Sequence, residues 1–293
     1  MHNRRMKRLL IIGCGDVAMR AIPVLVRRYR VYALVRKTAR FAQLRSMGVT
    51  PLPGDLDDRA SLYRIAGLAD TVWHFAPPQN SGTRDTRTRN LLAVLSQKTL
   101  PGQLVYISTS GVYGDCRGER VSETRPPNAR TPRAQRRADA EMQIREWARN
   151  NRVCACILRV PGIYAPDRLP LSRLQQGLPC ILEGEDSYTN HIHADDLARI
   201  AIAALRYGSP CRVYHASDDS QLKMGEYFDS VADALGLPHL GRISRAEAQR
   251  ALPESLLSFM NESRRLDNWR MKHELKVKLR YPAVADGLAA INR

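Results

Sequence analysis

Two closely spaced glycines near the start of the chain are the residues whose type and spacing point most directly to chemistry. Four apolar residues, Leu9 to Ile12, precede them, and a helical pattern from Val17 to Arg28 follows. Glycines in such a turn let a pyrophosphate approach backbone N–H groups at the positive end of the helix. The stretch therefore predicts a dinucleotide site. The residues expected to form it are Gly13, Gly15, Asp16, Val17 and Ala18.

A basic pair follows the second predicted strand, Arg30 to Val35. NAD sites place an Asp or Glu about 20 residues beyond the glycines, where it binds the ribose 2′-hydroxyl. Here that position holds Arg36 and Lys37, and no acidic residue occurs from Val17 to Gly54. Because a guanidinium matches the oxygens of a phosphate, the pair predicts a 2′-phosphate contact and NADP(H) rather than NAD(H). A solvated pair at a strand end is the alternative.

Strand and helix patterns alternate along the first part of the chain. Further strands are predicted at 49–53, 70–75, 103–107 and 153–160, and helices at 84–97 and 131–150. Thr131 and Pro132 are the residue types of an N-cap and a first helical position. The alternation predicts an α/β fold, a Rossmann doubly wound parallel sheet with helices on both faces.

Two domains are predicted from this organisation. Residues 7–166 form the NAD(P)-binding Rossmann domain, which a strand and helix at about 188–217 also join. Residues 167–293, with shorter elements, form mostly a smaller carboxyl-terminal substrate lobe.

Five motifs, in order along the chain, resemble those of the extended or atypical short-chain dehydrogenase/reductases, the NAD-dependent epimerase/dehydratase-like family. They occupy residues 13–18, 54–56, 108–114, 158–164 and 191–197. Each motif alone is weak, whereas their common order over most of the chain is specific. The resemblance implies further cofactor contacts from Asp55, Leu56, Ala76, Pro77, Pro161 and Ile163.

The same resemblance implies a catalytic Ser or Thr, a Tyr that exchanges protons, and a Lys four residues after the Tyr. Thr109 fits the hydroxyl position, but the Tyr and Lys positions, counted back from Glu141, hold Arg133 and Arg137. A guanidinium keeps its proton at physiological pH, so the usual mechanism is predicted to be absent or moved elsewhere. The two arginines are instead predicted to form an anion-binding pair, with Arg137 also a candidate contact for a ribose or phosphate.

Four side chains near the matching motifs are candidates for a displaced acid or base: Tyr113, Tyr164, Tyr188 and His191. Each is also of a type that packs in a core or lines a pocket. Near the carboxyl end, Arg264 and Arg265 are candidates for contacting a substrate phosphate, with a solvated pair as the alternative.

The composition of the chain indicates which partners are excluded and in which cell compartment the protein is expected. The net charge is +17, but the basic residues are scattered and only 6% of residues are aromatic, which argues against nucleic-acid binding. The six cysteines contain no Cys-x-x-Cys pair, and His191 and His193 lack a third ligand at metal spacing, so no metal site is predicted. No apolar run is long enough to cross a membrane, and the apolar stretch behind the basic amino end is too short for a secretion signal. A cytoplasmic protein without a membrane partner is predicted.

Three classes of function remain open. The first is an NADP(H)-dependent oxidoreductase or epimerase that acts on a small or nucleotide-linked substrate with non-standard acid/base residues. The second is a catalytically inert dinucleotide-binding sensor or structural protein. The third, a nucleic-acid-associated protein, rests on charge alone. The resemblance also implies a homodimer that pairs through the helices predicted at 84–97 and 131–150.

Overall fold

The computed structural model describes residues 6–290, apart from the side chain of Ser255, so most of the basic amino end lies outside it. Its strands are β1 (Lys7–Ile12), β2 (Tyr29–Val35), β3 (Val49–Pro53), β4 (Thr71–His74), β5 (Gln103–Thr109), β6 (Arg120–Val121), β7 (Cys154–Val160), β8 (Gly162–Tyr164), β9 (Cys180–Ile181), β10 (His191–His193), β11 (Arg212–His215), β12 (Arg242–Ile243) and β13 (Arg265–Leu266). Its α-helices are α1 (Asp16–Leu25), α2 (Phe41–Ser46), α3 (Thr86–Leu95), α4 (Pro132–Asn151), α5 (Leu171–Gln175), α6 (Ala194–Tyr207), α7 (Met224–Leu235), α8 (Arg245–Ala251), α9 (Glu254–Met260), α10 (Trp269–Glu274) and α11 (Val284–Ala289).

A seven-stranded parallel sheet forms the centre, with strand order β11-β7-β5-β4-β1-β2-β3. The chain starts in the middle of the sheet, adds strands toward one edge, and then returns to add the remaining strands toward the other edge. This doubly wound arrangement confirms the predicted Rossmann-like fold. Its strand order reverses between β1 and β4, which creates a crevice at the carboxyl ends of these two strands.

Helices cover both faces of the sheet. Because consecutive strand residues point to opposite sides, neighbouring residues of one strand are buried in different cores. Leu9 and Ile11 of β1 pack in one apolar core with α1 and α6. Leu10 and Ile12 pack in the opposite core with α3 and α4. The near-continuous apolar strands of the sequence are thus explained by helices on both sides.

Helix starts follow the local signals in the sequence. The Thr131 side chain accepts a hydrogen bond from Ala134 N at 3.2 Å, and Pro132 is the first residue of α4, as predicted. Asp85 caps α3 by accepting from Thr88 N at 3.0 Å, so this helix begins two residues later than the sequence pattern predicts.

A third apolar core lies in the carboxyl-terminal half, where α7 and α11 pack around Tyr164, Leu174 and Cys180. The segment from α10 to Leu279 returns to the first core beside the sheet, with Met271, Leu275 and Leu279 buried there. Since β11 also belongs to the central sheet, parts of the carboxyl-terminal half contribute to both units. The domain boundary near residue 166 stays a prediction.

No helix within residues 6–290 is both long and apolar enough to span a bilayer. In the same part of the chain, no cluster of three or more His, Cys, Asp or Glu side chains is arranged to hold a metal ion.

Candidate functional site

A groove of about 290 Å³ lies at the carboxyl ends of β1, β2 and β4, at the reversal of strand order. Open α/β sheets bind ligands at this point. Seven of the residues predicted to contact a cofactor line it: Gly13, Gly15, Arg36, Asp55, Leu56, Ala76 and Pro77.

The two glycines have different roles in this groove. Gly13 has a φ of +90°, and a Cβ atom there would lie 2.3 Å from Ala76 N, so the turn passes too close to the loop after β4 for any side chain. Gly15 is the N-cap of α1 with an ordinary φ of −87°, and a Cβ there would meet nothing within 4 Å. Gly15 therefore leaves open space over the first turn of α1, where the backbone N–H groups lack helical partners.

Other predicted cofactor residues have side chains that do not line the groove. Val17 and Ala18 are buried in the core under α1, so only their backbone is placed to meet a ligand. Asp16 binds Arg20 at 2.8 Å and Arg168 at 2.9 Å. Lys37 is exposed, one residue after Arg36. Ile163 packs against the first core.

Three arginines surround the groove. Arg36 is exposed directly after β2 ends at Val35. Arg40, which the sequence analysis did not single out, donates from Nη1 to the carbonyl of Cys14 at 2.7 Å. Arg87 binds both carboxylate oxygens of Asp57, at 2.8 and 2.6 Å. Hydrogen bonds from Arg87 lower the pKa of Asp57, with smaller contributions from the charges of Arg87 and Arg36. Arg87 is thus partly neutralised, while Arg40 has no carboxylate partner among the described residues.

A second cavity, which we call the cleft, has a volume of about 250 Å³ and begins where β5 ends. It is lined by Thr109, Ser110, Gly111, Arg133, Pro161, Gly162, Tyr188, Thr189, Asn190, Met224, Phe259, Glu262 and Arg264. The predicted catalytic Thr109 and the predicted cofactor residue Pro161 both lie here. Its walls come from both halves of the chain.

Positive charge in the cleft comes from Arg133 and Arg264. Arg133 lies with its guanidinium carbon 4.3 Å from the centre of the Phe259 ring. Arg264 is buried and donates from Nη1 to Gly114 O at 2.8 Å and to Glu262 at 2.9 Å, while its buried Nε has no partner among the described residues. An unpaired buried donor of this kind is a candidate ligand contact.

Arg137 lies on α4 one turn after Arg133 but points elsewhere. Its Nη1 donates to Ile107 O at 2.7 Å and to the hydroxyl of Tyr106 at 3.1 Å. In the structure, Arg264 rather than Arg137 shares the cleft with Arg133. The two arginines predicted to act together on one helix face therefore do not line the same cavity, and the arginine that shares the cleft with Arg133 comes from a distant part of the chain.

Tyr113 does not line the cleft. Its hydroxyl is hydrogen bonded to Arg159 at 2.7 Å and to His215 Nε2 at 2.5 Å, and Arg159 also forms a buried bidentate ion pair with Glu141. Burial raises the pKa of Tyr113 to about 12 and lowers the pKa of His215 to about 3. This network joins β7, β11 and α4, which is a structural role.

The other three candidate acids or bases differ in where they lie: two are buried and one lines the cleft. Tyr164 is buried and donates to Ala283 O at 3.3 Å. His191 is buried against the ring of Tyr227, and burial lowers the pKa of His191 to about 3, so it is a neutral imidazole near pH 7. Tyr188 lines the cleft together with Thr109.

The residues of these cavities that sequence reasoning missed include Arg40, Arg87, Glu262 and Phe259. Arg40 follows Arg36 by four residues in the same acid-free stretch, which is a signal that was present in the sequence. Glu262 and Phe259 have no local motif, because they reach the cleft only when the carboxyl-terminal lobe packs on the sheet.

Comparison with known proteins identifies the family of the chain. The family model described as the NAD dependent epimerase/dehydratase family matches residues 21–216. The chain belongs to this family. The match confirms the resemblance inferred from the motifs. Among curated proteins of the family, human dTDP-D-glucose 4,6-dehydratase is 23% identical over 248 residues, which cover 74% of this chain and 71% of that protein.

Solved structures of similar fold include a functionally unknown conserved protein from Silicibacter pomeroyi. It is 27% identical, with a TM-score of 0.79 over 98% of both chains. A dTDP-glucose 4,6-dehydratase double mutant from Streptomyces venezuelae, with NAD and DAU bound, is 23% identical, with a TM-score of 0.77 over 96% of this chain and 94% of that one. A UDP-glucuronic acid 4-epimerase from Bacillus cereus in complex with NAD is 18% identical, with a TM-score of 0.74 over 97% of this chain and 96% of the other. These structures share the Rossmann-like fold of the chain.

Proposed function

We propose that the chain is an NADP(H)-preferring oxidoreductase or epimerase that acts on a small or nucleotide-linked anionic substrate with non-standard acid/base residues. The observation that carries the proposal is a cleft containing Thr109, Arg133 and Arg264 in a protein that also has a dinucleotide groove. Family membership supplies the reaction class, and the relatives named above include enzymes of nucleotide-linked sugars.

The preference for NADP(H) is supported by positive charge in the groove. Arg36 and Arg40 both line it, and Asp55 is the acidic residue there, on the loop after β3 rather than after β2. A 2′-phosphate would offset two positive charges, while a 2′-hydroxyl would leave both unmatched. Two of the solved structures named above, the dehydratase and the epimerase, contain NAD, so this preference would distinguish the chain from them.

In the proposed mechanism, different residues of the cleft donate a hydrogen bond to the substrate and bind its negative charge. A bound nicotinamide supplies or accepts the hydride. Thr109 Oγ1 accepts from Gly111 N at 3.2 Å, which leaves the hydroxyl hydrogen to donate to a substrate oxygen. Arg133 and Arg264 hold a negatively charged group of the substrate by charge-assisted hydrogen bonds.

We assign the displaced proton transfer to Tyr188, since it is the candidate phenol that lines the same cleft as Thr109. The guanidinium carbon of Arg265 lies 4.8 Å from the centre of its ring, which restricts the orientation of the ring. A phenol can exchange a proton in turnover, which neither arginine can do.

A second candidate function is the catalytically inert dinucleotide-binding sensor or structural protein. The observation in its favour is on α4, which contains neither Tyr nor Lys and whose Arg137 is engaged with Ile107 O. Such a protein would keep the groove and bind the dinucleotide without turnover.

The proposal also includes a homodimer and a cytoplasmic location. A homodimer through α3 and α4 is supported by Met142, an exposed apolar side chain on α4, and light scattering tests it. A cytoplasmic location is supported by the six cysteines, all of which are free thiols.

Cofactor choice is tested by calorimetric titration with NADP⁺ and NAD⁺. We expect the native protein to favour NADP⁺ by about 1–3 kcal/mol, because a well-made charge-assisted contact contributes that much. Arg36→Asp should narrow or reverse the preference, since it adds repulsion to the 2′-phosphate. Arg28→Asp, an exposed arginine before the opposite end of β2, makes the same charge change and should leave the preference intact. Equal affinities in the native protein would contradict the assignment.

Turnover is tested by following the absorbance of the reduced dinucleotide with nucleotide-linked sugars and small hydroxy or oxo acids. Tyr188→Phe should lower kcat by roughly 10²–10⁴-fold, the usual contribution of an acid/base group, and flatten the pH profile without changing dinucleotide affinity. Tyr63→Phe removes a hydroxyl from an exposed tyrosine and is the control. Native protein that binds NADPH but turns over none of these compounds would favour the inert alternative.

A further inference from the structure

A third cavity, which we call the chamber, lies next to the cleft in the carboxyl-terminal half. It has a volume of about 230 Å³ and is lined by Arg173, Thr189, His191, Met224, Tyr227, Phe228, Leu256 and Phe259. Thr189, Met224 and Phe259 line both cavities. The chamber therefore adjoins the cleft, and one small molecule of ordinary size can extend from one into the other.

Most of the chamber wall is apolar or aromatic. Tyr227 and Phe228 come from α7, while Leu256 and Phe259 come from α9. The His191 ring stacks on the Tyr227 ring with 3.9 Å between centroids, and its Nδ1 is buried without a hydrogen-bond partner. Such a wall offers contact area to an apolar group but few partners for a sugar or a diphosphate.

One charged group, Arg173, lies in this wall. It is only 9% exposed, and its guanidinium carbon is 4.2 Å from the centre of the Phe228 ring. Its Nη2 donates to Pro179 O at 3.0 Å, and its other contacts are the sulfur atoms of Cys180, Met224 and Met260.

No carboxylate of the described residues forms an ion pair with Arg173, and its Nε is buried without a partner. The oxygens of the nearby Asp186 accept from the backbone N–H groups of Ser187 and Gly225 instead. A buried cation without an anion is costly. An acid delivered by a ligand would offset that cost.

We propose that the chamber binds the apolar body of a carboxylic acid substrate, with the carboxylate paired to Arg173 and the opposite end reaching Thr109 in the cleft. This deepens the proposed function and rests on it only in treating the cleft as the place of reaction. A carboxylate, with one negative charge, matches a single guanidinium. A nucleoside diphosphate would bring more negative charge and a polar base into a wall that has one cation.

The test uses the full chain, with and without NADP⁺, and two probes of the same shape, phenylacetate and its neutral amide, phenylacetamide. By calorimetry, we expect the acid to bind roughly tenfold or more tightly than the amide, as for a hydrogen bond to a charged group. Arg173→Gln should remove this difference between acid and amide. Arg250→Gln, which changes an exposed arginine on α8 in the same way, should retain it.

A second variant keeps the proposal testable if Arg173→Gln fails to fold. Leu256→Trp fills the chamber without changing Arg173 and should weaken both probes. Equal binding of acid and amide to the native protein, or an unchanged difference in a folded Arg173→Gln variant, would overturn the proposal. Displacement of phenylacetate from the native protein by uridine monophosphate, with direct binding of uridine monophosphate lost in Leu256→Trp, would assign the chamber to a nucleotide instead. These probes measure neither dinucleotide preference nor turnover. A failure of the proposed function would therefore be seen in those two measurements and not in this one.

Discussion

At the scale of single residues, Asp218 shows how burial changes a side chain outside the proposed mechanism. It is 3% exposed, and one carboxylate oxygen accepts from Ser220 N at 3.0 Å, while Oδ2 has no partner within residues 6–290. Burial raises the pKa of Asp218 from 3.8 to about 8. The folded protein therefore holds this proton near neutral pH, whereas the unfolded chain releases it.

This pKa shift predicts a pH dependence of stability. Between pH 3.8 and about 8 the folded state binds one more proton at Asp218 than the unfolded state, so its contribution to the free energy of unfolding falls as pH rises. Asp218→Asn keeps an oxygen for Ser220 N but cannot titrate. Relative to this variant, native stability should fall by up to about 1.4 kcal/mol per pH unit. Urea unfolding of both proteins across this window measures it, and parallel pH profiles would contradict it.

At the scale of elements, the turn between β1 and α1 combines a packing requirement with the space that the proposed dinucleotide site needs. Gly13 satisfies the first, because its positive φ and its approach to Ala76 exclude a side chain. Gly15 provides the second, because none of the described residues, apart from its chain neighbours, lies within 4 Å of a Cβ atom placed there.

Substitutions at the two glycines should therefore have opposite effects. Gly15→Val is expected to keep the fold, since its φ of −87° suits any residue, and to abolish dinucleotide binding by filling the space over the helix start. Gly13→Ala is expected to destabilise the protein by on the order of 1–3 kcal/mol, as a strained backbone with a steric clash does. Thermal melts and calorimetry with NADP⁺ separate these effects. Unchanged NADP⁺ affinity in Gly15→Val would contradict the location of the pyrophosphate.

At the scale of the whole molecule, ion pairs and returning chain segments hold the cavities in place. Arg20 of α1 binds Asp16, Asp167 and Asp195, which brings together α1, the segment after β8 and the start of α6. The segment after α10 packs back beside the sheet. Together these contacts tie segments from both halves of the chain to the central sheet.

The sequence by itself determined the central sheet and the groove. Gly13, Gly15 and the apolar run before them act through neighbours in the chain, so a short window contains the whole signal. Arg36 is a similar case, because its place follows from the end of β2. The bounds of β3 match its pattern, while α3 begins later than its pattern because Asp85 caps it.

The tertiary structure alone decided which side chains meet in the cleft and the chamber. Arg133 shares a cavity with Phe259 and Arg264, and Arg173 meets Phe228, although these residues are far apart in the chain. Tyr113 and Arg137 lie beside the expected motifs yet point into other contacts. Packing between distant elements decides where these side chains point. The partners that satisfy their charges and hydrogen bonds come within reach only when the two lobes have folded together.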